Sequence, residues 1–191
     1  MSITLSIAAA PAGQPPKDES LPRLAERLQA GEPGSLEALI ERTQSACSRL
    51  AVSILKDPDL SRDALQEAYF VVYQRIGQLR DPQAVRSWLF RIVTHCCHDI
   101  LRRRGKEVQV EVEVAEAAPD LAEGVGRQDK IRATFARLPE IDRTALALRE
   151  VASMSYEEMA QVLQVPLGTV RSRLAKARQR FIDTYRGVQH D

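Results

Sequence analysis

Glycine is scarce in this chain, nine among 191 residues, and cysteine is scarcer, with three. Few glycines and many charged side chains suit a helical protein. Nowhere do about 18 apolar residues run together, so no membrane insertion is expected. The start of the chain lacks basic residues and holds too short an apolar run for a secretory leader. The cysteines are odd in number, and two of them (Cys96 and Cys97) are neighbours, so a disulfide framework is not expected. A reducing, cytoplasmic setting fits best. A large net charge is missing as well: 27 basic residues face 26 acidic ones, a balance of +1. Such a chain is no general polyanion binder, and any affinity for nucleic acid has to come from segregated charge. Also absent are a glycine-rich phosphate loop, an H-E-x-x-H pair and a nucleophile elbow, so no enzyme and no cofactor are expected.

What the chain has is helical periodicity. Residues 1–20 hold three prolines and no periodic pattern, and read as a flexible tail. A short helix is expected over residues 21–30, stopped by Gly31-Glu32-Pro33-Gly34. Ser35 then caps a helix to about residue 55, with Leu36, Leu39, Ile40, Cys47, Leu50, Val52 and Ile54 inward. A third helix follows to about residue 78. In it Leu65, Tyr69, Val72 and Ile76 make an apolar stripe, and Asp63, Gln66 and Glu67 share another edge. After a loop, a fourth helix spans about 83–104, with Val85, Trp88, Leu89, Ile92, Val93, Cys96 and Ile100 on its apolar face. Arg91, His95, His98 and Arg102 recur on a different face.

The composition then flips. Residues 107–123 carry six acidic side chains and no basic one. Valines alternate there as in a strand, but a lone strand has no partner in a helical chain, so an acidic linker is the preferred reading. Helices resume near residue 127. The expected organisation is a tail (1–20), a helical domain (21–105), an acidic linker (106–126) and a second helical domain (127–187).

The second domain closes on a distinctive pattern. Ser155 and Glu158 form an S-x-x-E capping box. Val165-Pro166-Leu167-Gly168 breaks the helix, and Val170, Leu174 and Ala177 face inward from the next one. Residues 166–180 hold five basic side chains and no acidic one. A short helix, a turn and a longer basic helix make a helix-turn-helix, whose second helix can enter a major groove. The plainer alternative is a basic amphipathic helix ending a bundle.

The run His95-Cys96-Cys97-His98 invites a metal or redox reading. Four consecutive helical residues spread around the helix and cannot converge on one ion, and two histidines are too few for structural zinc. No metal site is expected. Cys96 fits the apolar stripe as a small buried hydrophobe, and Cys97 is the residue a redox role would use.

Two separated stretches carry a resemblance. SRDALQEAYFVVYQRI (61–76) with RSWLFRIVTHCCHDILRRRGK (86–106) resembles the second region of bacterial sigma factors. LPEIDRTALALREVASMSYEEMAQVLQVPLGTVRSRLAKARQRF (138–181) resembles their fourth region. With only a linker between, the chain resembles the small extracytoplasmic-function (ECF) group. The resemblance implies an all-α fold of two helical domains, and a protein that binds core RNA polymerase, recognises promoter DNA and opens it. It implies that the first domain meets the polymerase clamp helices and the −10 element, and the second the flap and the −35 element. Such factors are often held by an anti-sigma partner.

Carried onto this chain, Asp63, Gln66 and Glu67 match the family's polymerase-binding D-x-x-Q-E. Arg80, Asp81 and Gln83 fall in the loop that captures a flipped promoter base. Trp88 and Leu89 match a structural W-L pair. Arg91, His95, His98 and Arg102 are placed to line the melted strand, although the family commonly has asparagine where His95 stands. Arg171, Ser172, Ala175 and Lys176 fall on the base-reading face of the recognition helix, with Thr169, Arg173 and Arg178 on phosphate. Gln164 stands where glycine is common in the turn, and a positive φ is expected to strain it. The rival reading is a regulator with the same helix-turn-helix behind a sensor domain, never a polymerase subunit. A helical adaptor is a third, which leaves the basic helix unexplained.

Overall fold

A computed structural model describes residues 19–108 and 126–187. The expected tail and nearly all of the acidic linker, with its strand alternative, lie outside the described residues. Among the described residues eight α-helices follow one another: Leu21–Gln29 (α1), Ser35–Leu55 (α2), Pro58–Arg75 (α3), Val85–Val108 (α4), Arg127–Ala136 (α5), Glu140–Leu146 (α6), Tyr156–Leu163 (α7) and Leu167–Gly187 (α8). Short 3₁₀ turns occupy Ile76–Gln78 and Pro82–Ala84, and a π-helical turn, Ala147–Val151, prolongs α6. No strand occurs among the described residues, and the fold is all-α as expected.

Local chemistry sets the boundaries, with some departures from expectation. Gly34, not Ser35, is the residue that precedes α2. It adopts φ 78°, which glycine takes without a Cβ clash, while the Ser35 hydroxyl donates to the Glu32 carbonyl. Asp57 caps α3 by accepting from the backbone N–H groups of Asp59 and Leu60, and Pro58 fills the first helical position, where its missing N–H costs nothing. Helix α3 therefore begins at Pro58. The fourth helix runs past the expected end at Arg104 to Val108.

The stripes are mostly where periodicity puts them. Leu39, Cys47, Leu50 and Ile54 are buried on α2, each large aliphatic contributing about 1.5–3 kcal/mol by leaving water. Val52 is a correction. It is exposed, because Ala51 and Leu55 continue the i, i+4 row that Cys47 begins. On α4 the buried set is Val85, Leu89, Phe90, Val93 and Cys97, with Trp88, Ile92, Cys96 and Ile100 only partly covered. The cysteine in the core is therefore Cys97, and Cys96 is the half-buried neighbour.

Helices α1–α4 pack around one another, α3 lying against both α2 and α4. Helices α5–α8 form a second group, with α8 against α5, α6 and α7. The two groups touch: α4 meets α7, and α2 meets α6 and the π turn. Buried apolar residues of both groups belong to one contiguous core.

Candidate nucleic-acid interface

The helix-turn-helix is built as its sequence requires. The Ser155 hydroxyl accepts from the Glu158 backbone N–H at 3.1 Å, and the Glu158 carboxylate accepts from the Ser155 N–H at 2.7 Å. Helix α7 ends at Gln164, which adopts φ 53° and ψ 44°, the left-handed geometry in which a Cβ is strained. Pro166 follows and α8 opens at Leu167. Met159 and Val162 of α7 meet Val170, Leu174 and Ala177 of α8 in the core.

The outer face of α8 is divided along its length. Arg171, Ser172, Ala175 and Lys176 are exposed, while Thr169 and Arg173 are half-buried. Among the described residues, Arg171, Arg173 and Lys176 form no ion pair. Further along, Arg178 donates to Glu150 at 2.9 Å, and that bond holds its guanidinium above the usual range. Arg180 pairs with Asp142, whose side chain is only 4% exposed. Phe181 packs edge-on to Phe135 and stacks on Tyr185. The C-terminal half of α8 is thus fastened, and its N-terminal half presents free cations. Arg178, expected on phosphate, is engaged with Glu150.

In the first group, Asp63, Gln66 and Glu67 are all exposed on α3. Asp63 and Glu67 line a groove of about 930 Å³ between α3 and α4, floored by Leu60, Trp88 and Ile92. Arg91 and His95 line the same groove, so two expected sites share one channel. The loop before α4 is shaped by a residue the sequence did not single out. Gln29 of α1 donates from its amide to the carbonyls of Ile76 and Leu79, at 3.0 and 2.6 Å. Asp81 accepts from the Gln83 N–H at 2.9 Å and so caps the Pro82–Ala84 turn. Arg80 stays exposed.

Residues 39–107 match the family Sigma-70 region 2, and residues 128–181 match Sigma-70, region 4. The RNA polymerase sigma-H factor of Pseudomonas aeruginosa is 36% identical over 172 residues, covering 82% of this chain and 89% of that protein. The ECF RNA polymerase sigma-E factor of Haemophilus influenzae is 30% identical over 171 residues, covering 82% and 90%. The chain belongs to the ECF group of sigma-70 factors. The structure of CnrH in complex with the cytosolic domain of CnrY has the same fold, with a TM-score of 0.67 at 22% identity over 86% of this chain and 96% of that one. The sigma factor RpoE in complex with the anti-sigma factor NepR from Bartonella quintana has a TM-score of 0.67 at 22% identity, over 80% and 98%. As a sigma factor, the chain binds core RNA polymerase, recognises promoter elements and promotes their melting. A region 2 stretch stands where a sensor domain would, so the stand-alone regulator is not favoured. Among the described residues, no helix is long and apolar enough to cross a membrane.

The sigma factor's remaining expected residues split. His98 does not join Arg91 and His95 at the groove. Its Nε2 lies 3.1 Å from the Thr144 hydroxyl and 3.6 Å from Glu140, both in the other helix group. Burial lowers its pKa, outweighing the pull of Glu140. Arg102 is exposed and bonds Asp99 on its own helix at 2.9 Å. Cys97 is 0% exposed and burial pushes its thiol up to about 12, so it lacks the thiolate character a redox role needs. Among the described residues, no three His, Cys, Asp or Glu side chains converge as metal ligands.

Residues outside the expected sites also hold the groups together. The Arg86 guanidinium lies 5.4 Å over the Phe90 ring and donates to Glu158 at 2.6 Å and to the Ala152 carbonyl. Ser87 donates to the Gln161 side-chain oxygen at 2.7 Å. Arg143, buried, donates to the carbonyls of Ile54 and Leu138 at 2.9 and 2.8 Å. For Glu158, burial alone would raise the pKa, but the Ser155 N–H and Arg86 win and hold it low.

Proposed function

We propose that the two helix groups work as separable promoter-reading domains, with the residues assigned as follows. Asp63, Gln66 and Glu67 bind core polymerase along the exposed edge of α3. Arg80, Asp81 and Gln83 belong to the −10 loop, with Asp81 acting through the turn it caps. Arg91 and His95 hold the melted strand in the groove between α3 and α4, by charge and by stacking. On α8, Arg171, Ser172, Ala175 and Lys176 meet base edges of the −35 element, and Thr169 and Arg173 hold phosphate. The observation that carries this reading is the division of α8: cations free of ion pairs on its leading half, fastened side chains on its trailing half.

The chain itself makes and breaks no bonds, catalysis belongs to the polymerase, and the work is done in the cytoplasm. RpoE of Bartonella quintana is bound by an anti-sigma factor, and this chain is held by a partner of the same kind.

The test is co-elution with core RNA polymerase on a sizing column. The wild-type chain is expected to co-elute. The Asp63→Ala, Gln66→Ala, Glu67→Ala triple variant is expected to lose most of that binding. A folded triple variant that co-elutes like wild type would remove these residues from the polymerase contact.

A further inference from the structure

A loop that takes a base out of the stack bears the cost of unstacking it, and any ordering of its own backbone at that moment adds to the cost. A loop shaped beforehand avoids the second part. Residues 76–84 are shaped by two turns in succession. In the first, Ile76 and Leu79 bury their side chains, and the Leu79 N–H donates to the Ile76 carbonyl at 3.1 Å. In the second, the Asp81 carboxylate accepts from the Gln83 N–H at 2.9 Å, and the Asp81 carbonyl accepts from the Ala84 N–H at 3.0 Å. Both sets of bonds are local, so neither ties its turn to another helix. Arg80 lies between the two turns, exposed and without an ion pair among the described residues.

Gln29 supplies that tie. Its carboxamide nitrogen carries two N–H groups, and two carbonyls stand within reach, Ile76 at 3.0 Å and Leu79 at 2.6 Å. The Leu79 oxygen and the Arg80 nitrogen belong to one planar peptide unit, so a bond to that oxygen sets the direction in which the chain enters Arg80. The donor stands on a firm base. Leu24, Ala25 and Leu28 of α1 are buried, Arg27 bridges Glu19 and Glu32 at 2.7 Å each, and α1 lies against both turns. Gln29 itself is exposed and fills no core space, so the loop uses its carboxamide and not its bulk.

We propose that Gln29 is a positioning residue for promoter reading: it holds residues 76–84 in the shape that presents Arg80, Asp81 and Gln83 to the −10 element, and it touches no base itself. The proposal rests on the assignment of this loop to the −10 element given above. The role calls for a donor. A methyl group at this position leaves both carbonyls to water, and a carboxylate sets an acceptor against two carbonyl oxygens. A lysine ammonium is again a donor and can serve both.

The test is selection by holoenzyme, the chain bound to core RNA polymerase, from a pool of promoter duplexes randomised over the −10 and −35 segments. The transcribed sequences are counted. Gln29→Ala and Gln29→Glu are expected to reduce the enrichment of preferred −10 bases several-fold, with the −35 preference, the Kd for core and the melting temperature of the free chain near wild type. Gln29→Lys is expected to restore the −10 preference. A merely structural contact would lower yield on every sequence alike, and so would not separate the two elements. Retention of the −10 preference in both the Ala and Glu variants, or equal loss at both elements, would overturn the proposal. An Arg80→Ala, Gln83→Ala pair is run beside them. If that pair loses the −10 preference and the Gln29 variants keep it, the positioning role alone fails. If the pair keeps it, the assignment of the loop fails and the proposal falls with it.

Discussion

Arg171 sits on the first exposed turn of α8 with no ion pair among the described residues, so its fork is available to a guanine edge. Arg171→Ala should cost about 1–3 kcal/mol in binding to the −35 duplex and relax preference at one base position, as read by titration against a set of single-base variants. Equal losses on every sequence would instead assign Arg171 to phosphate. His98 gives a different kind of prediction. Its imidazole is held neutral in the fold, below the usual 6.5, by burial, with Glu140 and Asp99 opposing and His95 and Arg143 adding to the effect. The unfolded chain takes up the proton near 6.5, so stability should fall as pH drops through that value. A melting series from about pH 7.5 to 5.5 checks this against its usual titration range. His98→Gln should flatten the series, and an unflattened one would show that another group titrates. Glu158, held low, loses its contribution as pH falls from the ordinary carboxylate value through its own lowered one, and so stays out of that window.

At the scale of single elements, the turn between α7 and α8 is the informative one. Gln164 at φ 53° carries a Cβ in a region where glycine is at ease. Gln164→Gly removes that strain but loosens the unfolded chain, so the net gain should be about 0.5–1 kcal/mol in denaturant unfolding. A loss on substitution would mean that the glutamine side chain does something there beyond filling the turn. This strain was legible beforehand, since the resemblance places Gln164 where glycine is common in the turn. The helices themselves were legible too. Val170, Leu174 and Ala177 lie in the core where a 3.6-residue period places them. Less legible was which side of α4 each histidine faces. Cys97 and Phe90 are buried because α4 is covered on several sides, and a helix so covered loses the clean single stripe that a sequence reader counts. Gln29 was invisible for another reason: its partners lie 47 and 50 residues away, beyond any local pattern.

For the whole molecule, a net charge of +1 makes the distribution of cations matter more than their number. Binding of the second helix group to duplex DNA should therefore weaken with salt only as steeply as a few phosphate contacts allow. Lys176→Ala should lower the slope of log K against log salt by about one if that ammonium holds a phosphate. An unchanged slope would place Lys176 off the backbone. The contacts between the two helix groups are the largest feature that local patterns could not show. Arg86 and Glu158 are 72 residues apart; locally Arg86 looks like an ordinary solvent-facing charge, and Glu158 reads only as half of a capping box.

Arg143 gives that separation a direction in time. Its guanidinium satisfies the Ile54 carbonyl from 89 residues further along the chain. A ribosome adding about 5–20 residues per second needs roughly 4–18 s to travel that far. Throughout that interval the N-terminal helices exist without this bond, and water has to serve the Ile54 carbonyl until Arg143 arrives.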